Sequence, residues 1–472
     1  MSKSVGIDAL GFALPRLVLP MQSFAEGRGM EYEKLRFGLG LEAMAVPDTD
    51  EDCVTLAAQA AWKVVSQHGI KPHEIGRIYL GTESAVDAAK PSATYVHGLL
   101  EERFASDFGP RSLAHCDALD MTFACAGGVD ALLNSADWVR AGRGRKALVI
   151  AADVAKYAPH SPGEYTQGAG AVALLVTEDP RILVLDDAVG VSVESAADFF
   201  KPRRSFGKAE LAAAVGGTLE SAADHPFWAT PEAVIEQFLE FPVFDGPYSN
   251  DCYVGRVREA LGRYESESGL RAMNDWFGMC FHLPYAFQGR RMWPEIALDL
   301  YADQGLLAQV EAEAGMTESE AGGRKALAKA WSKSAAYKAY VAEKIGPGEA
   351  ASMRIGNMYT ASIFMGLVSA LIGYADRRDL GGKRLGFLSY GSGSKSKVFS
   401  GVLRADFAAQ LRGLNLEAAI VDRREVSFTE YEALHARTAQ GPLAPASQGA
   451  VLDRIETEGN LIGYRRYRWV QN

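Results

Sequence analysis

Asp120-Met-Thr-Phe-Ala-Cys125-Ala-Gly-Gly-Val-Asp-Ala-Leu-Leu133 passes from strand-like into helix-like sequence, with a cysteine at the junction. Outward from it, Arg77-Ile-Tyr-Leu-Gly81, Lys146-Ala-Leu-Val-Ile-Ala-Ala152 and Ala171-Val-Ala-Leu-Leu-Val176 are short apolar runs that read as buried strands. Val54 to Gln67 and Gly127 to Ala141 carry apolar residues at helical spacing. Ser362 to Tyr374 repeats the helical pattern, and Leu385-Gly-Phe-Leu-Ser-Tyr390 is a further strand before the turn Gly391-Ser-Gly-Ser394. Strands alternating with helices predict a layered α/β architecture. Arg203 to Phe244 reads as mostly helical in composition, and Ala308 to Lys344, rich in Ala, Glu and Lys, as solvent-facing helix.

The 472 residues exceed one ordinary compact domain, so two or more core-bearing units are expected. A net charge of -10 argues against nucleic acid as the main partner, which needs a basic face. The cysteines Cys53, Cys116, Cys125, Cys252 and Cys280 are odd in number and form no CxxC pair, so neither a zinc site nor a disulfide framework is indicated. Reduced thiols, the lack of a signal-like N-terminus and the lack of a run of about 20 apolar residues predict a cytoplasmic protein without a membrane span.

Cys125 stands where a helix presents unpaired N–H groups and the positive end of its dipole, both of which favour the reactive thiolate. Gly127 and Gly128 would let a substrate approach the backbone. A buried structural cysteine is nevertheless the commoner fate of a free thiol. Glu83 follows directly after a strand, where α/β folds build their sites, although a loop acid is the ordinary occupant. His282, in Gly278-Met-Cys-Phe-His282-Leu-Pro-Tyr285, could act as acid or base or sit satisfied in a core. Arg290 and Arg291 behind it could bind phosphate or form a solvated edge.

Taken together, these segments resemble the 3-hydroxy-3-methylglutaryl-CoA synthase family, in the same order. The blocks that carry the resemblance are Thr82–Lys90, Ala124-Cys-Ala-Gly-Gly128, Ala152-Asp-Val-Ala-Lys-Tyr157 and Gly163–Val172. Asp198-Phe-Phe-Lys-Pro202, Phe281–Tyr285, Gly356-Asn-Met-Tyr-Thr360 and Tyr390-Gly-Ser-Gly393 complete the set. The resemblance implies a thiolase-like αβαβα fold of five layers and two related halves. Residues 1–178 would carry Glu83 and Cys125. Residues 179–472 would carry His282, Asn357 and Ser392, with a longer inserted segment at about 203–244. It implies a homodimeric acyltransferase that condenses acetyl-CoA with acetoacetyl-CoA and supplies the mevalonate pathway to isoprenoids. Cys125 would take the acetyl group, Glu83 would deprotonate its methyl, and His282 would anchor and polarise the acetoacetyl group. Asp153, Tyr157, Asp198, Asn357, Tyr359 and Ser392 would line the pocket. No metal or organic cofactor is implied beyond the coenzyme A thioesters used as substrates.

Three departures from the family pattern matter. Ala126 stands where an aromatic residue usually follows the nucleophile, which predicts a larger acyl pocket. No lysine lies near Phe287 to hold CoA phosphates, although Arg290 and Arg291 are close. The segment from 203 to 244 is longer than the family's link. The alternatives left open are a same-fold synthase acting on acyl carrier protein in polyketide β-branching and an inactive paralogue serving as a scaffold. A plain thiolase would need a second cysteine near Tyr390–Gly393, where there is none.

Overall fold

The computed structural model describes residues 4–142, 144–219, 228, 231–238 and 240–471. Nine strands form one mixed sheet: β1 (Val5–Ala13), β2 (Ile75–Gly81), β3 (Asp117–Met121), β4 (Lys146–Ala155), β5 (Gly168–Glu178), β6 (Leu183–Val193), β7 (Trp276–Phe281), β8 (Arg384–Gly391) and β9 (Lys395–Leu403). Their spatial order is β7-β8-β9-β6-β1-β5-β4-β2-β3. β2 runs parallel to β3 and β4, β7 runs parallel to β8, and the other neighbours are antiparallel. Between β1 and β6 only Gly6 with Val184 and Ile7 with Leu183 are paired, so the sheet is pinched into two wings there.

Side-chain alternation builds the layers. In β2, Ile78 and Leu80 point to one core and Tyr79 to another. In β4, Leu148 and Ile150 point outward to helices α1 (Cys53–Gln67) and α2 (Ser92–Phe108), while Val149 and Ala151 face inward. On the other wing, Leu385 and Phe387 of β8 face inward; Leu388 and Tyr390 face α4 (Gly246–Ser268) and α5 (Gln288–Tyr301). The inward faces of both wings share one core with α3 (Gly127–Arg140) and α6 (Ser362–Gly373). The result is helix, sheet, helix, sheet, helix: the thiolase-like five-layer arrangement. Near-continuous apolar runs in β4 and β5 follow from burial on both faces. A register shift between Ile7 and Ala9 keeps β1 aligned with both cores.

Two expectations are corrected. The segment from Arg203 to Phe244 is not mostly helical among the described residues: Arg203–Gly207 pairs with Val234–Phe238 as a hairpin, and Lys208–Ala214 is a short helix. Its alanines and glutamates favour helix, but the β-branched and aromatic residues at its two ends pair across the segment. Ala308 to Lys344 is broken into Leu306–Ala314, Glu318–Ala321, Arg324–Trp331 and Ala335–Lys344, with left-handed Gly315 and Gly322 ending the first two. Val310, Leu327, Trp331 and Tyr337 bury one face of these helices against the α4–α5 core. No helix among the described residues is long and apolar enough to cross a membrane.

Candidate active site

Cys125 lies between the end of β3 and the first turn of α3 and is 7% exposed. Ala124 before it has φ 37°, a left-handed conformation that costs a non-glycine residue energy and turns the thiol away from the strand direction. The thiolate expected from free N–H groups is not the resting form. Ala126 N donates to Phe123 O at 2.8 Å, Gly127 N to Ala124 O at 3.4 Å and Gly128 N to Thr360 Oγ1 at 2.6 Å. The thiol instead donates to Glu83 Oε1 at 3.4 Å. Burial, and then the Glu83 carboxylate, hold it well above the ordinary thiol range. The two glycines are needed for packing rather than for substrate approach. A Cβ on Gly127 would stand 2.5 Å from Met121 O, and one on Gly128 2.9 Å from both Ala151 Cβ and Thr360 Oγ1.

Glu83 reaches Cys125 because Thr82 and Glu83 are tied down just beyond β2. Thr82 Oγ1 and Glu83 N both donate to Asp153 Oδ1 at 2.9 Å, and Thr360 N donates to Asp153 Oδ2 at 3.0 Å. Burial raises the Glu83 carboxyl, with Lys201 and the Cys125 thiol opposing. Burial and the neighbouring Glu83 charge push Asp153 up to about 7, against the N–H donors that favour its ionised form. Lys201 Nζ lies 3.9 Å from Glu83 Oε2 and donates to Glu83 O at 3.5 Å.

His282 ends β7. Its N–H donates to Leu388 O at 3.0 Å, and its carbonyl accepts from Tyr253 Oη at 2.6 Å. Its Nδ1 is 2.7 Å from Ser362 Oγ, and Ser362 Oγ donates to Tyr359 O at 2.8 Å. With the hydroxyl proton committed to that carbonyl, the network assigns the imidazole hydrogen to Nδ1 and leaves Nε2 a bare acceptor. Burial lowers the imidazole to about 3, so it rests neutral. An acid role therefore requires a proton gained when substrate binds.

The remaining predicted residues divide. Tyr157 and Tyr359 form an aromatic wall with Phe199 and Phe244 around Cys125; the Tyr157–Phe244 centroids are 5.3 Å apart. Asn357 Oδ1 accepts from Tyr359 N at 2.7 Å and so braces a backbone with φ 42°. Asp198 accepts from Tyr390 Oη and Gly393 N, both at 2.7 Å, fixing the turn that carries half-buried Ser392. That turn closes on the nucleophile loop, since a Cβ on Gly391 would be 2.8 Å from Ala126 Cβ. Ala126 is thus fully buried against backbone, and the enlarged pocket expected there is filled by β8. Arg290 is committed to buried Glu349 and lies 3.8 Å over the Phe287 ring, whereas Arg291 is exposed, with Nη1 3.4 Å from Gly38 O. Lys201, Thr360 and Ser362 carry no chemical signal of their own in the sequence, although each lies within or beside a segment that holds another site residue.

Family comparison agrees with this architecture. Residues 1–180 match the model for the hydroxymethylglutaryl-coenzyme A synthase N terminal region, and residues 236–441 match that for its C terminal region. The hydroxymethylglutaryl-CoA synthase of Haloferax volcanii is 33% identical over 445 residues, covering 92% of this chain and 91% of its own. The Enterococcus faecalis enzyme of the same name is 30% identical over 466 residues, covering 98% and 100%. The structure of MvaS in complex with 3-hydroxy-3-methylglutaryl coenzyme A superimposes with a TM-score of 0.77 at 29% identity, with 100% of both chains covered.

Proposed function

Since the chain belongs to the hydroxymethylglutaryl-CoA synthase family, a family of acyl-transferring condensing enzymes, we propose that it joins acetyl-CoA to acetoacetyl-CoA, giving 3-hydroxy-3-methylglutaryl-CoA and free CoA. The observation that carries the reading is the buried thiol 3.4 Å from a carboxylate. Cys125 Sγ attacks the acetyl carbonyl. Its proton passes through Glu83 to the departing CoA sulfur, which leaves acetyl-Cys125, free CoA and an ionised Glu83. Glu83 then takes a methyl proton, and the enolate carbon attacks the ketone of acetoacetyl-CoA. Neutral His282 holds that second substrate, and the proton that Glu83 took from the methyl passes to the new alkoxide, which returns Glu83 to its ionised form. Water finally cleaves the Cys125 thioester. No metal or organic cofactor has a step in this scheme.

Arg291, exposed and free of the Arg290–Glu349 pair, is the better candidate for a CoA phosphate. A cytoplasmic homodimer supplying the mevalonate pathway fits the family. The edge strand β3, with Leu119 exposed and one side unpaired among the described residues, supports self-association. Intact-protein mass spectrometry after mixing with acetyl-CoA should show an acetyl adduct that maps to Cys125. A parallel arm with acetylated carrier protein separates the two donors. An adduct mapping to Cys116 or another cysteine would refute the assignment.

A further inference from the structure

Glu83 must end the acyl-transfer step ionised, yet its side chain is only 7% exposed and sits beside a buried carboxyl, Asp153, and a thiol. The groups facing it are Cys125 from the β3–α3 junction, Asp153 from β4, Tyr157 just after β4, Tyr359 from the turn before α6 and Lys201 from the Asp198–Pro202 segment. Both phenols are held above their ordinary range by burial first and carry no charge at neutral pH. Nearby Lys156 is committed to Glu240 at 3.2 Å. Among the described residues, Lys201 is therefore the cation that can balance Glu83. Its ammonium lies 3.9 Å from Glu83 Oε2, reaches the backbone oxygen of the same residue and rests 4.9 Å over the Tyr359 ring, with its side chain 18% exposed.

We infer that Lys201 is a positioning residue for the general base. It keeps Glu83 ionised and aimed at the acetyl methyl without itself touching substrate. This rests on the reading of Glu83 as the base that deprotonates acetyl-Cys125. An opposite charge within about 4–6 Å typically lowers a carboxyl by about 1–3 pH units. Loss of that charge should raise the Glu83 titration by about one unit or more. The pH at which proton abstraction falls off should then move up by the same amount, with the rate recovering as pH rises.

The test uses Lys201→Met, Lys201→Gln and Lys201→Arg in the full chain, with two measurements. The first needs no substrate: the infrared band of a protonated carboxyl, assigned to Glu83 by its loss in Glu83→Gln, is titrated with pH. The second follows deuterium exchange at the methyl of acetyl-Cys125 across the same range. Met and Gln should move both profiles to higher pH, and Arg should restore them. A Gln variant that titrates like wild type would overturn the proposal, because hydrogen bonding rather than charge would then suffice. An Arg variant as impaired as Met would overturn it as well. If wild type takes no acetyl on Cys125, the catalytic reading fails while the infrared titration still decides the role of Lys201.

Discussion

Around Cys125 the decisive neighbours are two carboxyl groups, Glu83 and Asp153, and the ammonium of Lys201. Around His282 they are a hydroxyl, a phenol and carbonyls, with Ser362, Tyr253 and Leu388 fixing the residue without any ion. The contrast matches two different tasks. One cluster must pass protons in sequence, so its groups shift one another's ionisation. The other must hold a second substrate in register, so it is built from fixed hydrogen bonds. Their pH signatures are opposite. Asp153, raised in the folded state to about 7, contributes stability that is present at low pH and is lost as pH rises through that value. His282, lowered to about 3, contributes stability that is present above about pH 6.5 and is lost as pH falls toward 3.

The harshest way to break the contrast is Cys125→Ser, which should abolish condensation altogether while the fold persists; product assay alongside circular dichroism checks both. Glu83→Gln should acetylate Cys125 more slowly, because the thiol's proton acceptor is gone, and should lose carbon–carbon bond formation by a further factor of about 10²–10⁴. Mass spectrometry would show the acetyl-enzyme accumulating, and condensation at the wild-type rate would remove Glu83 from the mechanism. His282→Ala should leave acetylation nearly intact and raise the concentration of acetoacetyl-CoA needed for half-maximal rate. Equal loss of both half-reactions would show instead that the two clusters act as one. The milder Ser362→Ala removes the bond that holds Nδ1, and a loss of about tenfold confined to the second substrate is expected. The smallest effect concerns acyl size. Phe244→Ala thins the aromatic wall, and one added methylene in such a pocket is worth about 1–3 kcal/mol. Competition between acetyl-CoA and propionyl-CoA should therefore shift toward propionyl. Ala126→Tyr, by contrast, should impair acylation rather than sharpen it, because the ring would meet the Gly391 backbone.

Much of the layer order was legible because β2, β4, β5 and β8 are apolar runs and α1, α3 and α6 have a clear period. Glu83, Cys125 and His282 each follow a strand, a weak signal alone; the family-like segments that hold them, in the same order, are what set them apart. The ionisation of the site was not legible. Whether the Gly128 N–H beside Cys125 is free depends on Thr360, which lies more than 200 residues away. The fate of the gap at Ala126 depends on a glycine contributed by β8. Arg290 looked like a phosphate ligand until Glu349 was brought to it, and nothing local to either residue announces that pairing. Composition misled at Arg203–Phe244, where pairing between distant ends outweighs the helix-forming residues between them.

The carboxylate of Asp153 bears on modularity. It accepts from Thr82 and Glu83, which follow β2 in one wing, and from Thr360, which leads into α6 of the layer that both wings share. Gly128 and Thr360 repeat the crossing nearby. An engineer who exchanged one wing for that of a distant relative would thus be cutting through the acid–base apparatus itself, not through a linker between independent parts. The two wings must be inherited, and redesigned, as a pair.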